Sequence, residues 1–86
     1  MWIRSQDMTR LFMSYGMCID EFDGEFVISD TGGLGRCATY STKEKALKVL
    51  DEINSLLDAT EFDVSNLPIV FEMPLDEEVE LWFQKR

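Results

Sequence analysis

The segment Cys18-Ile19-Asp20-Glu21-Phe22-Asp23-Gly24-Glu25-Phe26-Val27-Ile28-Ser29 reads as a β-hairpin, and the rest of the chain arranges itself around it. A two-residue type I′ turn needs positive φ at both central positions, and Asp-Gly tolerates that geometry. With Phe22 paired to Glu25, Ile19 falls opposite Ile28. Phe26 joins them on the same face, while Phe22 and Val27 point the other way. One face of the hairpin is therefore apolar enough to need covering.

Further turn signals bracket further strands. Asp30-Thr31-Gly32-Gly33 sets off a strand at 34–40, Tyr15-Gly16 separates the hairpin from a strand at 10–13, and Gln6-Asp7 turns a strand that opens the chain at 2–5. Loops this short favour antiparallel pairing. Downstream, Ser41-Thr42-Lys43-Glu44 reads as a capping box, with Ser41 accepting from the amide three residues on and Glu44 reaching back to the Ser41 amide. The helix it starts runs to about 58. Ala46, Leu47, Val49, Leu50, Ile53, Leu56 and Leu57 form its apolar stripe, which is expected to cover the hairpin.

After a polar stretch at 60–66, Pro68 and Pro74 bound Ile69-Val70-Phe71-Glu72-Met73 and hold it extended, as an edge strand or a strap. Beyond it, Leu75, Val79, Trp82 and Phe83 fit one helical face, with Asp76, Glu77 and Glu78 in the first turn and Lys85 and Arg86 at the end. Leu81 falls off that face, so a short strand or an unstructured tail stays open. The expected fold is α+β: an antiparallel sheet of four to five short strands with one capped amphipathic helix packed on one face. A C-terminal extended segment and a short tail complete it. Residues 1–74 form the domain, and 75–86 an acidic, aromatic tail or short helix.

The 86 residues contain no histidine, and their formal charge is -9. A Cys-His or Ser-His nucleophile within one chain is thereby excluded. The charge is uneven: residues 1–57 carry six basic and nine acidic side chains, whereas 58–86 carry two and eight. Such a balance speaks against direct nucleic-acid binding and against anionic membranes, both of which call for Lys and Arg. No apolar run approaches the roughly 20 residues of a membrane span, and the opening residues lack a secretory pattern, so a cytoplasmic protein is expected. Cys18 and Cys37, in no CxxC spacing, read as reduced core or sheet residues.

The opening Met1-Trp2-Ile3-Arg4-Ser5-Gln6-Asp7 and the block Tyr40-Ser41-Thr42-Lys43-Glu44-Lys45-Ala46-Leu47-Lys48-Val49-Leu50-Asp51-Glu52-Ile53 resemble small uncharacterised proteins of Gram-positive bacteria and their phages. The resemblance covers about a quarter of the positions and implies a sheet followed by one capped helix. That family has no agreed function and lends no catalytic residues. Its members often carry a basic residue where this chain has Met8, which removes one anion contact here.

Two surfaces are candidates for function. Glu72, Asp76, Glu77, Glu78 and Glu80 crowd carboxylates beside Trp82 and Phe83, and aromatics that a small core cannot cover serve as interface anchors. Leu81 lies among the same carboxylates, and such a tail would imitate nucleic-acid phosphate and enter a basic groove on a protein partner. A solubilising acidic surface is the plainer account of the same residues. The second candidate is Trp2, Arg4, Arg10, Tyr15, Arg36 and Tyr40, whose guanidinium forks and aromatic faces suit a nucleotide, bound by a homo-oligomer because one chain would barely enclose it. Solvent-facing arginines and core aromatics explain those letters equally well.

Gly32, Gly33 and Gly35 form no P-loop, and Asp20, Glu21, Asp23 and Glu25 do not match an EF-hand loop, so no cofactor or metal is called for. The favoured reading is a non-enzymatic acidic protein that binds another macromolecule, such as a phage or mobile-element inhibitor of a host factor. A nucleotide-binding oligomer and a structural subunit of a larger assembly are the alternatives.

Overall fold

The computed structural model describes residues 1–33, 35–60 and 70–84, with the side chains of 57–60 and 84 left aside. The hairpin forms as its sequence requires. β3 (Met17–Phe22) and β4 (Glu25–Asp30) pair with Phe22 against Glu25 and Ile19 against Ile28. Asp23 and Gly24 both take positive φ, 53° and 79°. β5 (Gly35–Tyr40) adds antiparallel to β4, and a register shift between Ile28 and Ser29 leaves Cys37 as the extra residue of a bulge.

The expected single sheet of four to five strands is instead two sheets of three. β1 (Trp2–Arg4), β2 (Leu11–Met13) and β6 (Val70–Glu72) form a second sheet in the order β2-β1-β6. β1 runs antiparallel to β2 but parallel to β6, so the strand expected between the two prolines lies at an edge as foreseen, in an orientation that short loops did not indicate. Pro68 and Ile69 lie outside the described residues.

The reason for the split is Gln6. Its backbone amide donates to the Cys37 carbonyl at 2.8 Å. Its side-chain oxygen accepts from the Thr39 amide at 3.0 Å, and its side-chain nitrogen donates to the Thr39 carbonyl at 3.1 Å. One residue thus satisfies backbone groups on the outer edge of β5 that a further strand would otherwise pair. The turn that delivers it is held by Asp7, whose carboxylate accepts from the Ser5 hydroxyl and from the Thr9 amide and hydroxyl. These bonds, that from Ser5 foremost, pull the Asp7 pKa down to about 2.

α1 (Lys43–Thr60) crosses the inner faces and buries Ala46, Val49 and Ile53, with Leu50 packed against them. Leu47, assigned to the stripe from its spacing, is exposed, and the side chain of Leu57 lies outside the described set. The core joins Ile3 of the β2-β1-β6 sheet, Ile28, Cys37, Ala38 and Tyr40 of the β3-β4-β5 sheet, the helix residues, Met73 and Val79. Val79 belongs to α2 (Asp76–Gln84), so the C-terminal segment is a helix that shares this core.

Candidate partner-binding surface

α2 is fixed from its first residue. The Pro74 carbonyl before it accepts from the Tyr40 hydroxyl at 2.7 Å and from the Gln6 side chain at 3.1 Å, and the Met73 amide donates to the Arg4 carbonyl. The Glu78 carboxylate accepts from the Leu75 amide at 3.1 Å, the reach-back half of a capping box. Behind the helix, Val79 is fully buried and Trp82 packs against the core.

The start of α1 and the start of α2 are tied together. Asp76 accepts from the Ser41 amide at 2.8 Å, from the Ser41 hydroxyl, and from the Lys45 ammonium at 2.9 Å; Glu80 takes the same ammonium at 3.1 Å. The capping expected of Ser41 and Glu44 is therefore displaced. Thr42 caps α1, its hydroxyl accepting from the Lys45 amide at 3.2 Å, and the Ser41 amide goes to Asp76. Two carboxylate partners, Asp76 foremost, raise the Lys45 pKa against a smaller desolvation effect. Partial burial raises the Asp76 pKa, but the Ser41 amide, Lys45 and the Ser41 hydroxyl together outweigh it and the net direction is down.

These contacts sort the expected tail residues. Asp76 and Glu80 are engaged by Lys45, Glu78 by a backbone amide, and Trp82 by the core. Glu77 on α2 and Glu72 on β6 are exposed, and neither has a hydrogen-bond or ion-pair partner among the described residues. Phe83 is 43% exposed and Leu81, which the helical spacing had set aside, is 55% exposed. Beside the helix, Met8, Leu75 and Trp82 line an apolar groove of about 290 Å³ that also receives Glu72 and Glu78.

The six nucleotide candidates are not gathered at one place. Tyr40 is buried with its hydroxyl committed to Pro74, and burial pushes its pKa up. Arg36 lies over Phe22, 5.0 Å from the ring centre, on the outer face of the hairpin sheet. Arg10 lies over Phe12 at 5.5 Å and against Gly35, where a Cβ would sit 2.6 Å from its guanidinium. Tyr15 is 95% exposed in the β2–β3 loop. Only Trp2 and Arg4 share a face, on the side of β1 opposite buried Ile3.

Burial raises the pKa of both thiols, that of Cys37 to about 11, so neither is a thiolate near neutral pH. No group of three or more His, Cys, Asp or Glu side chains suited to a metal ion occurs among the described residues. No described helix is long and apolar enough to cross a membrane.

Sequence reasoning missed Lys45 and Gln6. Lys45 left a trace: a cation in the first turn of a helix opposes the backbone dipole and calls for compensating carboxylates. Gln6 left none. Fold and surface together define a small acidic α+β protein with two three-stranded sheets and a firmly seated C-terminal helix. Compared with known proteins, the chain matches no family model, no curated protein and no solved structure.

Proposed function

We propose that the protein acts by binding a basic protein partner, without catalytic turnover, through the outer face of α2. The observation that carries this reading is exposed Leu81 one turn beyond Glu77, which has no hydrogen-bond or ion-pair partner among the described residues, with exposed Phe83 on the flank of a helix whose rear face is fixed to the core. A rigid helix presents anchors at low entropic cost, and surrounding carboxylates steer a basic surface toward it. Glu72 and Glu78 orient the contact. Asp76, Glu80 and Trp82 serve it from behind by holding the helix in place.

The resemblance to bacterial and phage proteins extends the proposal to a cytoplasmic inhibitor that occupies a nucleic-acid groove on a host factor. Capture from a host lysate tests the surface. The chain is expected to retain one partner that salt releases, and the pair L81S/F83S is expected to lose it while circular dichroism stays unchanged. Tyr15→Ala, at an exposed site remote from α2 in sequence, is expected to keep it. Undiminished capture by L81S/F83S overturns the assignment. Heat evolved with mono-, di- or cyclic nucleotides would replace it by nucleotide binding.

A further inference from the structure

The outer face of the β2-β1-β6 sheet breaks the alternation that water-facing sheets follow. The strand register places Met13, Trp2 and Val70 side by side in one row, and Leu11, Arg4 and Glu72 in the next, all opposite the face that buries Ile3. Leu11 and Val70 are each about half exposed. An apolar row led by tryptophan on a central strand is what contact surfaces present, and solvated faces rarely do.

We infer that this face pairs with its copy on a second chain. A two-fold axis midway between the two faces, parallel to the sheets and perpendicular to the strands, lays the Trp2 row of one chain on the Arg4 row of the other. Each indole then meets the partner's Arg4, Met13 meets the partner's Leu11, and Val70 meets the aliphatic stem of the partner's Glu72. The two Trp–Arg stacks are reciprocal, and tryptophan is the best acceptor for a guanidinium over its ring. Arg4 is already steadied at the face by donating to the Met8 carbonyl at 3.0 Å. A second copy is the occupant because the two rows complement each other only after that rotation: the cation that one row carries is what the indole of the other takes.

Two rows of three side chains fall short of the roughly 800 Å² per partner in a standard interface, so the dimer is weak. Each chain carries -9, and screening of that repulsion makes salt strengthen the association. Sedimentation of the full chain over a concentration series at low and high salt tests this. Wild type is expected to approach twice the monomer mass at high concentration, more so in high salt. Arg4→Gln is expected to weaken pairing about tenfold through loss of the stacks. Leu11→Lys, at an exposed edge position, is expected to abolish pairing with the circular dichroism spectrum kept, while Phe83→Ser is expected to leave it unchanged. A wild type that stays monomeric throughout, association that salt weakens, or pairing that survives Leu11→Lys overturns the inference.

Discussion

The two sheets are built by opposite routes. In β3-β4-β5 the strands are six residues long, every pairing is antiparallel, and each strand contacts the next one in the chain. In β2-β1-β6 the strands are three residues long, and β6 returns from beyond α1 to lie parallel to β1. Loop closure must precede the reward of distant contacts, so the second sheet depends on a core that the first has begun to organise. A hairpin carries its instructions in its turn, whereas a parallel pair carries them in what it packs against.

Truncating an isoleucine in each sheet puts that contrast at most risk. Ile28 and Ile3 are both fully buried, and Ile28→Ala and Ile3→Ala are each expected to cost about 2–5 kcal/mol of stability by denaturant titration. Their kinetics should differ. Ile28→Ala is expected to slow folding and Ile3→Ala chiefly to speed unfolding, as a hairpin-first order requires. Equal effects on the two limbs of the folding plot would break the distinction.

A smaller effect tests the join between the sheets. Gln6→Ala leaves the Thr39 amide and carbonyl without their Gln6 partners and removes one donor to the Pro74 carbonyl, for an expected loss of about 1–3 kcal/mol. Amide exchange should quicken first at Thr39. Exchange that quickens uniformly across β4 and β5 instead would mean that the two sheets open as one unit.

The smallest expected effect lies at the Ser41–Lys45–Asp76 tie. Asp7 and Asp76 have folded-state pKa values below the ordinary 3.8, so their contributions are complete above that value and are lost as pH falls through the folded ones, for Asp7 about 2. Lys45 is raised above 10.5, and its contribution is complete below that value and lost as pH rises through the folded one. Melting temperature is therefore expected to be flat through neutrality and to drop below about pH 4. Lys45→Met is expected to lower the plateau and shrink the Asp76 part of the drop. An acid limb unchanged in Lys45→Met would remove Asp76 from the account.

Much of the fold was readable locally. Asp23-Gly24 announced the hairpin and its register, because the turn accepts few residues and the side-chain period is two. The spacing of Ala46, Val49 and Ile53 announced α1, whereas Pro74 and the acidic first turn allowed α2 only as one alternative to a strand or an unstructured tail. Other features were not readable, for physical reasons. Ser41 looked like a cap because the motif is local, but Asp76, distant in sequence, competes for its amide. Trp82 and Phe83 looked alike as anchors, yet helical geometry turns the first toward the core and leaves the second about half exposed. The site was legible in composition, and its division into supporting and outward residues was not.

Local chemistry determined the elements: turns from residues that accept positive φ, helices from apolar spacing and first-turn charge, and an acidic exterior from the count of carboxylates. Tertiary structure decided how many sheets those strands make, which carboxylates are spent on Lys45, and which apolar side chains remain outside. The reason is that Gln6, Lys45 and Tyr40 act on backbone and side-chain groups brought near only by folding, and a linear pattern carries no record of which distant group will satisfy a donor.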